Sequence, residues 1–414
     1  MLLIWDIHIN AKYRDKILTS LRNFIAQQPE EKNLIFLGDF VYHFSYDRTS
    51  LLALYDLFLD LYQQGKHLYI LAGNHDRLGN SFVFEEAKKA FQVISHLMGG
   101  GNERGQWEIH FITQPLLTEL EGKSVCFLPY MLDINLADYP WIEEFQDDFY
   151  HEHLKTGNKN QTLSAKLHLL LQYYQQVEGG GLTFIHHYYF DGVAFPGQKS
   201  KFSFRDVALS SSWLENPDLQ FISAHLHQAF YYKNYLCTGS VRATSPLEEN
   251  DLKGFFSSTG DHFHFYENGV NVYFSLPSSP QSEQSPLSLA DLQAHHATLQ
   301  TQMKTNLSGL EVDYHFLPSL DLKSVSLSLR VDELNYQKME QYVAPELQNQ
   351  LSDVKLKKQQ ANVDDLLEKL QKPDSSPLKE GFGWRIDLLK RFLLKQYPDS
   401  YQEYEKLLQE LKLV

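Results

Sequence analysis

The sequence predicts an α/β fold: a two-sheet α/β sandwich over residues 1–275, with a small α+β capping unit and C-terminal helices behind it. Three observations carry this. Apolar strand-like runs alternate with amphipathic helical ones through the first third of the chain. Strand-like runs then recur as far as Phe274, and a Pro/Ser/Gln-rich stretch, Leu276–Leu287, interrupts the pattern. Strand, helix, strand, helix implies right-handed crossovers and a largely parallel sheet.

Taken in order, Leu2–Asp6, Asn33–Leu37 and His67–Ala72 read as strands. Arg14–Gln27 and Ser50–Gln64 lie between them, with apolar residues at helical spacing such as Leu51, Leu54, Tyr55 and Phe58. Further strands are expected at Trp107–Thr113, Ser124–Leu128, Leu182–His186, Leu219–Ala224 and Phe230–Cys237, then at Gly254–Ser257, His262–Tyr266 and Val270–Phe274. The helical run Gln161–Val177 meets three glycines, Gly179 to Gly181, suited to stopping it. Residues 276–305 read as a linker. Residues 306–360 read as a second domain, because Ser324–Val331, Asn335–Ser352 and Val354–Lys358 form a strand-helix-strand pattern. The segment 361–414 holds helical stretches at Val363–Leu370, Trp384–Gln396 and Ser400–Leu413. Leu388, Leu389, Phe392 and Leu393 make an apolar face there, suited to its own domain or to a partner's groove.

Composition narrows the class. A chain of 414 residues with 43% apolar content can bury a large core. A net charge of −15 argues against a free-standing nucleic-acid binder, which usually shows a basic face. Two cysteines, Cys126 and Cys237, are too few for a disulfide framework and read as buried reduced thiols. The opening MLLIWDIH has no basic region, and no segment approaches the ~18 uninterrupted apolar residues of a membrane span. A cytoplasmic protein without a membrane anchor is expected.

The chemistry concentrates in five short segments: Asp6-Ile7-His8, Gly38-Asp39, Gly73-Asn74-His75-Asp76, His186-His187 and His225-Leu226-His227. The first three follow predicted strands, at the carboxyl ends where ligands collect in such sheets. Asp-x-His places residues i and i+2 on one side, so Asp6 and His8 can share an ion, as can His225 and His227. Asp39 can bridge two ions, and Asn74 offers a neutral oxygen. His186 is expected to complete the second shell. His187 would then face the other side of a continued strand, with at most a supporting part. Imidazole plus carboxylate suits Mn, Fe or Zn better than Ca or Mg. Two such ions can activate a water and neutralise a phosphoryl group, which points to phosphoester hydrolysis. His75 is left as a candidate general acid, with Asp76 fixing its tautomer. His151, His153, His295 and His296 lie in unpatterned polar stretches and read as solvated surface.

These motifs resemble those of the calcineurin-like metallophosphoesterases, which run Asp-x-His, Gly-Asp, Gly-Asn-His-Asp/Glu, His and Gly-His-x-His. The resemblance covers about residues 1–275. It implies one ion on Asp6, His8, Asp39 and His227, another on Asp39, Asn74, His186 and His225, and His75 as the acid. Within the superfamily the chain is most similar to SbcD-type nuclease subunits of double-strand-break repair complexes. Phe127-Leu128-Pro129-Tyr130 and the stretch Gly239-Ser240…Glu248…Lys253-Gly254-Phe255 carry that likeness. It implies an Mn-dependent nuclease (3′→5′ exonuclease on duplex ends, endonuclease on single strands), an SbcC-like ATPase partner on the C-terminal helices, DNA as substrate and a homodimer. Trp5 and Ala224 stand where the family carries a small residue and a glycine. Tyr42 stands at the spacing, three residues after Asp39, at which some relatives contact substrate phosphate through a histidine, and His43 is one further on. Two other classes fit parts of the pattern: a phosphodiesterase or phosphatase for a small substrate, and a non-catalytic scaffold for an ATPase.

Overall fold

The computed structural model describes residues 1–41, 48–78, 81–85, 87–88, 109–155, 157–193, 207–244, 248, 250–270, 272–278, 287–319, 321–322, 325–331, 343–351 and 353–358. Tyr42, His43 and the whole 359–414 segment, with its expected helices, lie outside the described residues.

The chain opens with β1 (Leu2–Ile4), α1 (Arg14–Ala26), β2 (Asn33–Phe36), α2 (Arg48–Gln63) and β3 (His67–Leu71). A short hairpin, β4 (Arg77–Leu78) and β5 (Ser81–Phe82), precedes β6 (Ile109–Ile112). Next come β7 (Leu116–Leu120), β8 (Lys123–Leu128), α3 (Asp148–Lys155), α4 (Lys159–Glu178), β9 (Leu182–His186), β10 (Tyr189–Asp191) and β11 (Ala208–Ser210). β12 (Leu219–Ser223), β13 (Phe230–Tyr232) and β14 (Tyr235–Cys237) follow, then β15 (Gly254–Thr259), β16 (His262–Glu267) and β17 (Val272–Ser278). The last described elements are α5 (Leu289–Asn306), β18 (Val312–His315), β19 (Val325–Val331), α6 (Pro345–Gln348) and β20 (Asp353–Lys358).

Two sheets dominate. One has seven strands in the order β18-β16-β15-β1-β2-β3-β6, the other six in the order β13-β14-β12-β9-β8-β7. β1, β2, β3 and β6 pair in parallel, as do β8, β9, β12 and β14, so many carboxyl ends open on one side of each sheet. Strand alternation sorts the core into layers. Leu3, Trp5, Ile35 and Leu71 of the first sheet pack with Phe127, Ile185 and Ile222 of the second. Their neighbours Leu2, Ile4, Leu34 and Ile70 turn outward beneath α1 and α2. Cys126, Leu128, Phe184 and Phe221 turn outward on the second sheet, beneath α4. Trp5 therefore fills the inter-sheet core, completely buried against Phe256 at 5.3 Å between ring centroids.

The helices follow their sequence signals. In α4, Asn158 caps the start by accepting from the Asn160 N–H at 2.9 Å, and Gly179 ends it at φ 77°. Its Leu163, Leu167, Leu170, Leu171 and Tyr174 are buried, worth roughly 1.5–3 kcal/mol for each fully buried leucine. At the start of α3, Asp147 accepts from the Tyr150 N–H at 2.9 Å and pairs with His168 Nε2 at 2.9 Å. The Trp213 indole N–H donates to His168 Nδ1 at 3.0 Å, so the proton on that ring resides on Nε2, facing the carboxylate.

Four expectations need correction. Phe230–Cys237 is a hairpin, β13 and β14, turned at Lys233, whose φ is +58°. The linker expected at 276–305 is narrower at both ends: β17 runs to Ser278, Ser288 and Asp291 form a capping box at the head of α5, and residues 279–286 lie outside the described residues. Leu292, Leu299 and Met303 of α5, spaced i, i+7 and i+11, join the inter-sheet core. The domain expected at 306–360 is likewise continuous with the sandwich. β18 is an edge strand of the seven-stranded sheet, the parallel β17-β19-β20 sheet contributes Val325 and Leu327 to the same core, and residues 1–358 form one compact unit. Finally, His296 is buried and bonded to Glu267 at 2.5 Å, while His295 meets Asn250 at 2.8 Å, so neither is solvated surface. Both cysteines are buried and free, with burial pushing the Cys237 thiol up to about 12. Among the described residues no helix is long and apolar enough to cross a membrane.

Candidate metal centre

Past its carboxyl end, β1 continues zipped to the loop after β2. The His8 N–H donates to the Asp39 carbonyl at 2.9 Å and that of Ile9 to Phe40 at 2.7 Å. Asp6, His8, Asp39 and His225 all have positive φ, half of the eight such non-glycine residues described. Strained backbone of this kind persists only where surrounding structure enforces it, and it clusters at functional sites. Asp76 supplies part of that enforcement. Its buried carboxylate accepts from the N–H groups of Asp39 (2.9 Å), Gly73 (2.9 Å), Phe40 (2.7 Å) and Val41 (3.3 Å). This corrects the expectation that Asp76 orients the His75 ring: it positions the backbone of two loops instead. Gly73 is required for their approach, because a Cβ there would lie 2.2 Å from Asp39 Oδ1.

Among the described residues two inner clusters could each hold an ion: Asp6, His8 and His227, and Asp39, His187 and His225. Asp39 Oδ2 lies 3.2 Å from His187 Nε2 and 3.8 Å from His8 Nε2, which sets it between the two. Asn74 Oδ1 completes the second cluster, 3.0 Å from His187 Nε2 and 3.0 Å from His225 Nδ1. The structure thus brings together Asp6, His8, Asp39, Asn74, His225 and His227, and adds His187 in place of His186.

Strand parity explains that exchange. Leu182 and Phe184 turn away from the first sheet, and His186 follows them among Tyr235, Phe190 and Phe221. His187 has the parity of Ile185, which faces the inter-sheet layer where the other ligands converge. The alternation was present in the sequence, but reading it required knowing which apolar set faced inward.

The donor set fits divalent cations. Each of three imidazoles gives its Nδ1–H to an oxygen: His8 to the Val41 carbonyl at 3.1 Å, His187 to that of Leu37 at 2.7 Å, and His227 to Glu248 at 2.7 Å. Their Nε2 lone pairs then point inward, the arrangement that outer carboxylates and carbonyls impose on metal-ligating histidines. Two of these lone pairs, on His8 and His227, face each other at 3.2 Å, and buried Asp6 Oδ1 has no hydrogen-bond partner. Without a cation such an array is electrostatically tense. Burial opposes charge on His187, yet the facing Asp39 carboxylate overrides it and pushes that ring up to about 10. Burial pushes Asp6 up to about 7, with the Asp39 charge adding to the effect against the pull of His187.

Three supporting groups surround the centre, of which only Lys253 belongs to a motif read from the sequence. Lys253 donates to the His227 carbonyl at 2.6 Å and pairs with Glu248 at 2.9 Å. Buried Arg242 donates to the carbonyls of Ile7 and His8. Thr244 donates from its hydroxyl to Glu248. His75 lies at the mouth with its side chain 30% exposed, Nε2 at 3.9 Å from Asp39 Oδ2 and its N–H on Asp39 Oδ1 at 2.8 Å. Of the two catalytic candidates it is the exposed one, since Asp76 is completely buried.

Residues 2–229 match the family model for calcineurin-like phosphoesterases. The chain belongs to that family. The expected ions of a phosphoesterase therefore have a donor set ready for them, and metal-dependent phosphoester hydrolysis follows as the activity class. A solved structure of a protein of unknown function from Aquifex aeolicus is similar at 15% identity over 52% of this chain and 91% of that one, with a TM-score of 0.22. No curated protein matches.

Proposed function

We propose that this phosphoesterase is the Mn-dependent nuclease subunit of an SbcCD-like complex, cutting DNA phosphodiesters beside an ATPase partner. The observation that supports it most is the coupling of the Gly239-Ser240…Glu248…Lys253-Gly254-Phe255 stretch to the centre. Glu248 and Lys253 of that stretch hold His227 at its ring and its carbonyl. When bound, two divalent ions supply water activation and charge neutralisation at the phosphoryl group. Asp6, His8, Asp39, Asn74, His187, His225 and His227 would hold them, with the Asp39 carboxylate set between the two clusters. His75 donates the proton to the departing alkoxide, a contribution of typically 10²–10⁴-fold.

The −15 charge of the chain favours either a partner that contributes the basic surface or a small substrate. One assay separates these readings. Mn²⁺-dependent degradation of end-labelled linear duplex and single-stranded DNA is compared with hydrolysis of bis(nitrophenyl) phosphate, with and without a co-purified ATPase. DNA loss that requires Mn²⁺ and stops with a chelator is expected. Hydrolysis of the small diester with both DNA forms intact, partner present or not, would assign the enzyme to small substrates.

A further inference from the structure

Away from the centre, three imidazoles and two carboxylates meet on two adjacent strands. In β16, Phe263 and Phe265 face the core, so His262 and His264 share the opposite face. β18 lies parallel to β16, with Asp313 beside His264 and His315 beside Tyr266. Glu311 and His315 share Asp313's face by the same alternation. Aligned positions on neighbouring strands bring side chains within contact of one another. Here that produces a tight cluster: His262 Nε2 is 3.0 Å from Asp313 Oδ2, His264 Nδ1 is 3.7 Å from the same oxygen, and His315 Nε2 is 3.5 Å from His264 Nδ1. Glu311 adds an oxygen 3.2 Å from His262 Nδ1.

A surface ion-pair network accounts for His262, which meets a carboxylate at each ring nitrogen. His264 joins that network through Asp313, and His315 stacks on Tyr266 at 4.3 Å, yet the ring nitrogens of His264 and His315 also face each other at 3.5 Å, a contact that ion pairing and stacking do not require. Ligand atoms of His262, His264 and Asp313 all lie within 4.8 Å of one another, on side chains at least a quarter exposed and free to close by small rotations. We propose that His262, His264, Asp313 and His315 form a second, mononuclear site for a borderline transition-metal ion such as Zn²⁺. Two or three imidazoles with one carboxylate match the preferred tetrahedral donor set of that ion and suit Mg²⁺ or Ca²⁺ poorly. β18 is the edge of the seven-stranded sheet and leads from α5 toward β19. The ion would rivet that edge strand to β16, a structural rather than hydrolytic part, independent of the phosphoesterase centre.

Zinc content of the full chain, dialysed against limiting Zn²⁺ and measured by mass spectrometry, tests this. In an Asp6→Asn/His8→Ala/Asp39→Asn/His187→Ala background, which removes donors from both clusters of the hydrolytic centre, one equivalent should remain. Adding His264→Ala with Asp313→Asn should remove it. The same surface pair, introduced alone, should leave bis(nitrophenyl) phosphate hydrolysis unchanged; added to the emptied background, it should abolish the zinc-dependent rise in Tm that the background retains. His262→Gln serves as a milder second variant, should the double change lower the metal-free Tm. Unaltered zinc content in both surface variants overturns the site.

Discussion

The His187 ring sits between oxygens that a neutral imidazole cannot satisfy together. Its Nδ1 is committed to the Leu37 carbonyl at 2.7 Å, while Nε2 faces both Asp39 at 3.2 Å and Asn74 at 3.0 Å. A cation must stand on that side, and a metal does so without the proton that the ring otherwise takes up. His187→Ala should therefore lose one ion per chain and reduce hydrolysis by at least about 10²-fold, as expected when a catalytic metal ligand goes. His186 has the opposite character. Its buried Nε2 has no hydrogen-bond partner, an arrangement that costs about 1–3 kcal/mol, and it is surrounded by aromatic rings. His186→Phe should keep activity and shift stability by no more than about 1 kcal/mol. If His186→Phe is inactive and His187→Ala active, with metal content following activity, the assignment of the two positions is reversed. His75→Ala should bind both ions and still turn over 10²–10⁴-fold more slowly, the size of a lost general acid; rescue of its rate by leaving groups of low pKa would identify the missing step. The sequence exposed Asp6, His8, Asp39, Asn74, His225 and His227 because each belongs to a short motif. Adjacent histidines are decided by the inward face of a strand, which is a property of the pair of sheets.

At the scale of elements, the legible parts were those with local causes. β1, β2 and β3, their intervening helices and the Gly179 stop all follow from spacing and turn chemistry close in sequence. The hairpin at Lys233 was missed because neither Lys233 nor Asn234 is a glycine, although Lys233 takes a positive φ. α5 was missed because its Pro/Ser-rich approach drew attention from the Ser288–Asp291 capping box. Asp76 was read as a partner of its neighbour, whereas its four bonds reach backbone from two loops. Long-range uses of a side chain leave no spacing to read. One element also carries a pH signature. Burial opposes ionisation of Asp147, but the Tyr150 N–H, His168 and Gln172 together hold its carboxyl below the usual range. A depressed folded value means the stabilisation is present above about pH 4, the unfolded carboxylate value, and is lost as pH falls through the folded one. Urea unfolding of wild type and Asp147→Asn should differ most above pH 5 and converge as pH falls below the ordinary carboxylate range. A gap that stays constant through that range would mean the carboxylate charge contributes nothing; at 41% exposure the contribution is a screened one.

For the molecule as a whole, the ligands come from both sheets: Asp6, His8, Asp39 and Asn74 from the first, His187, His225 and His227 from the second. Bound ions should therefore stabilise the sandwich as a unit. At a hundredfold excess over Kd a single site adds about 2.7 kcal/mol. Chelation should lower Tm by several degrees and Mn²⁺ should restore it; identical melting curves with and without chelator would show that the ions do not join the sheets. Fold class was legible at this scale because strand ends and chemistry coincided. The boundary at residue 275 was not, since composition marks where chain turns polar and says nothing of whether later strands return to the same core.

The order of those seven groups along the chain has a consequence for biosynthesis. The earliest is Asp6 and the latest His227. The whole stretch from Asp6 to His227 must leave the ribosome before the last donors emerge, and until His187 appears the emerging chain holds only Asp6, His8, Asp39 and Asn74. Loading of both clusters therefore waits for strands of both sheets, and is governed by the ions present once those strands have paired.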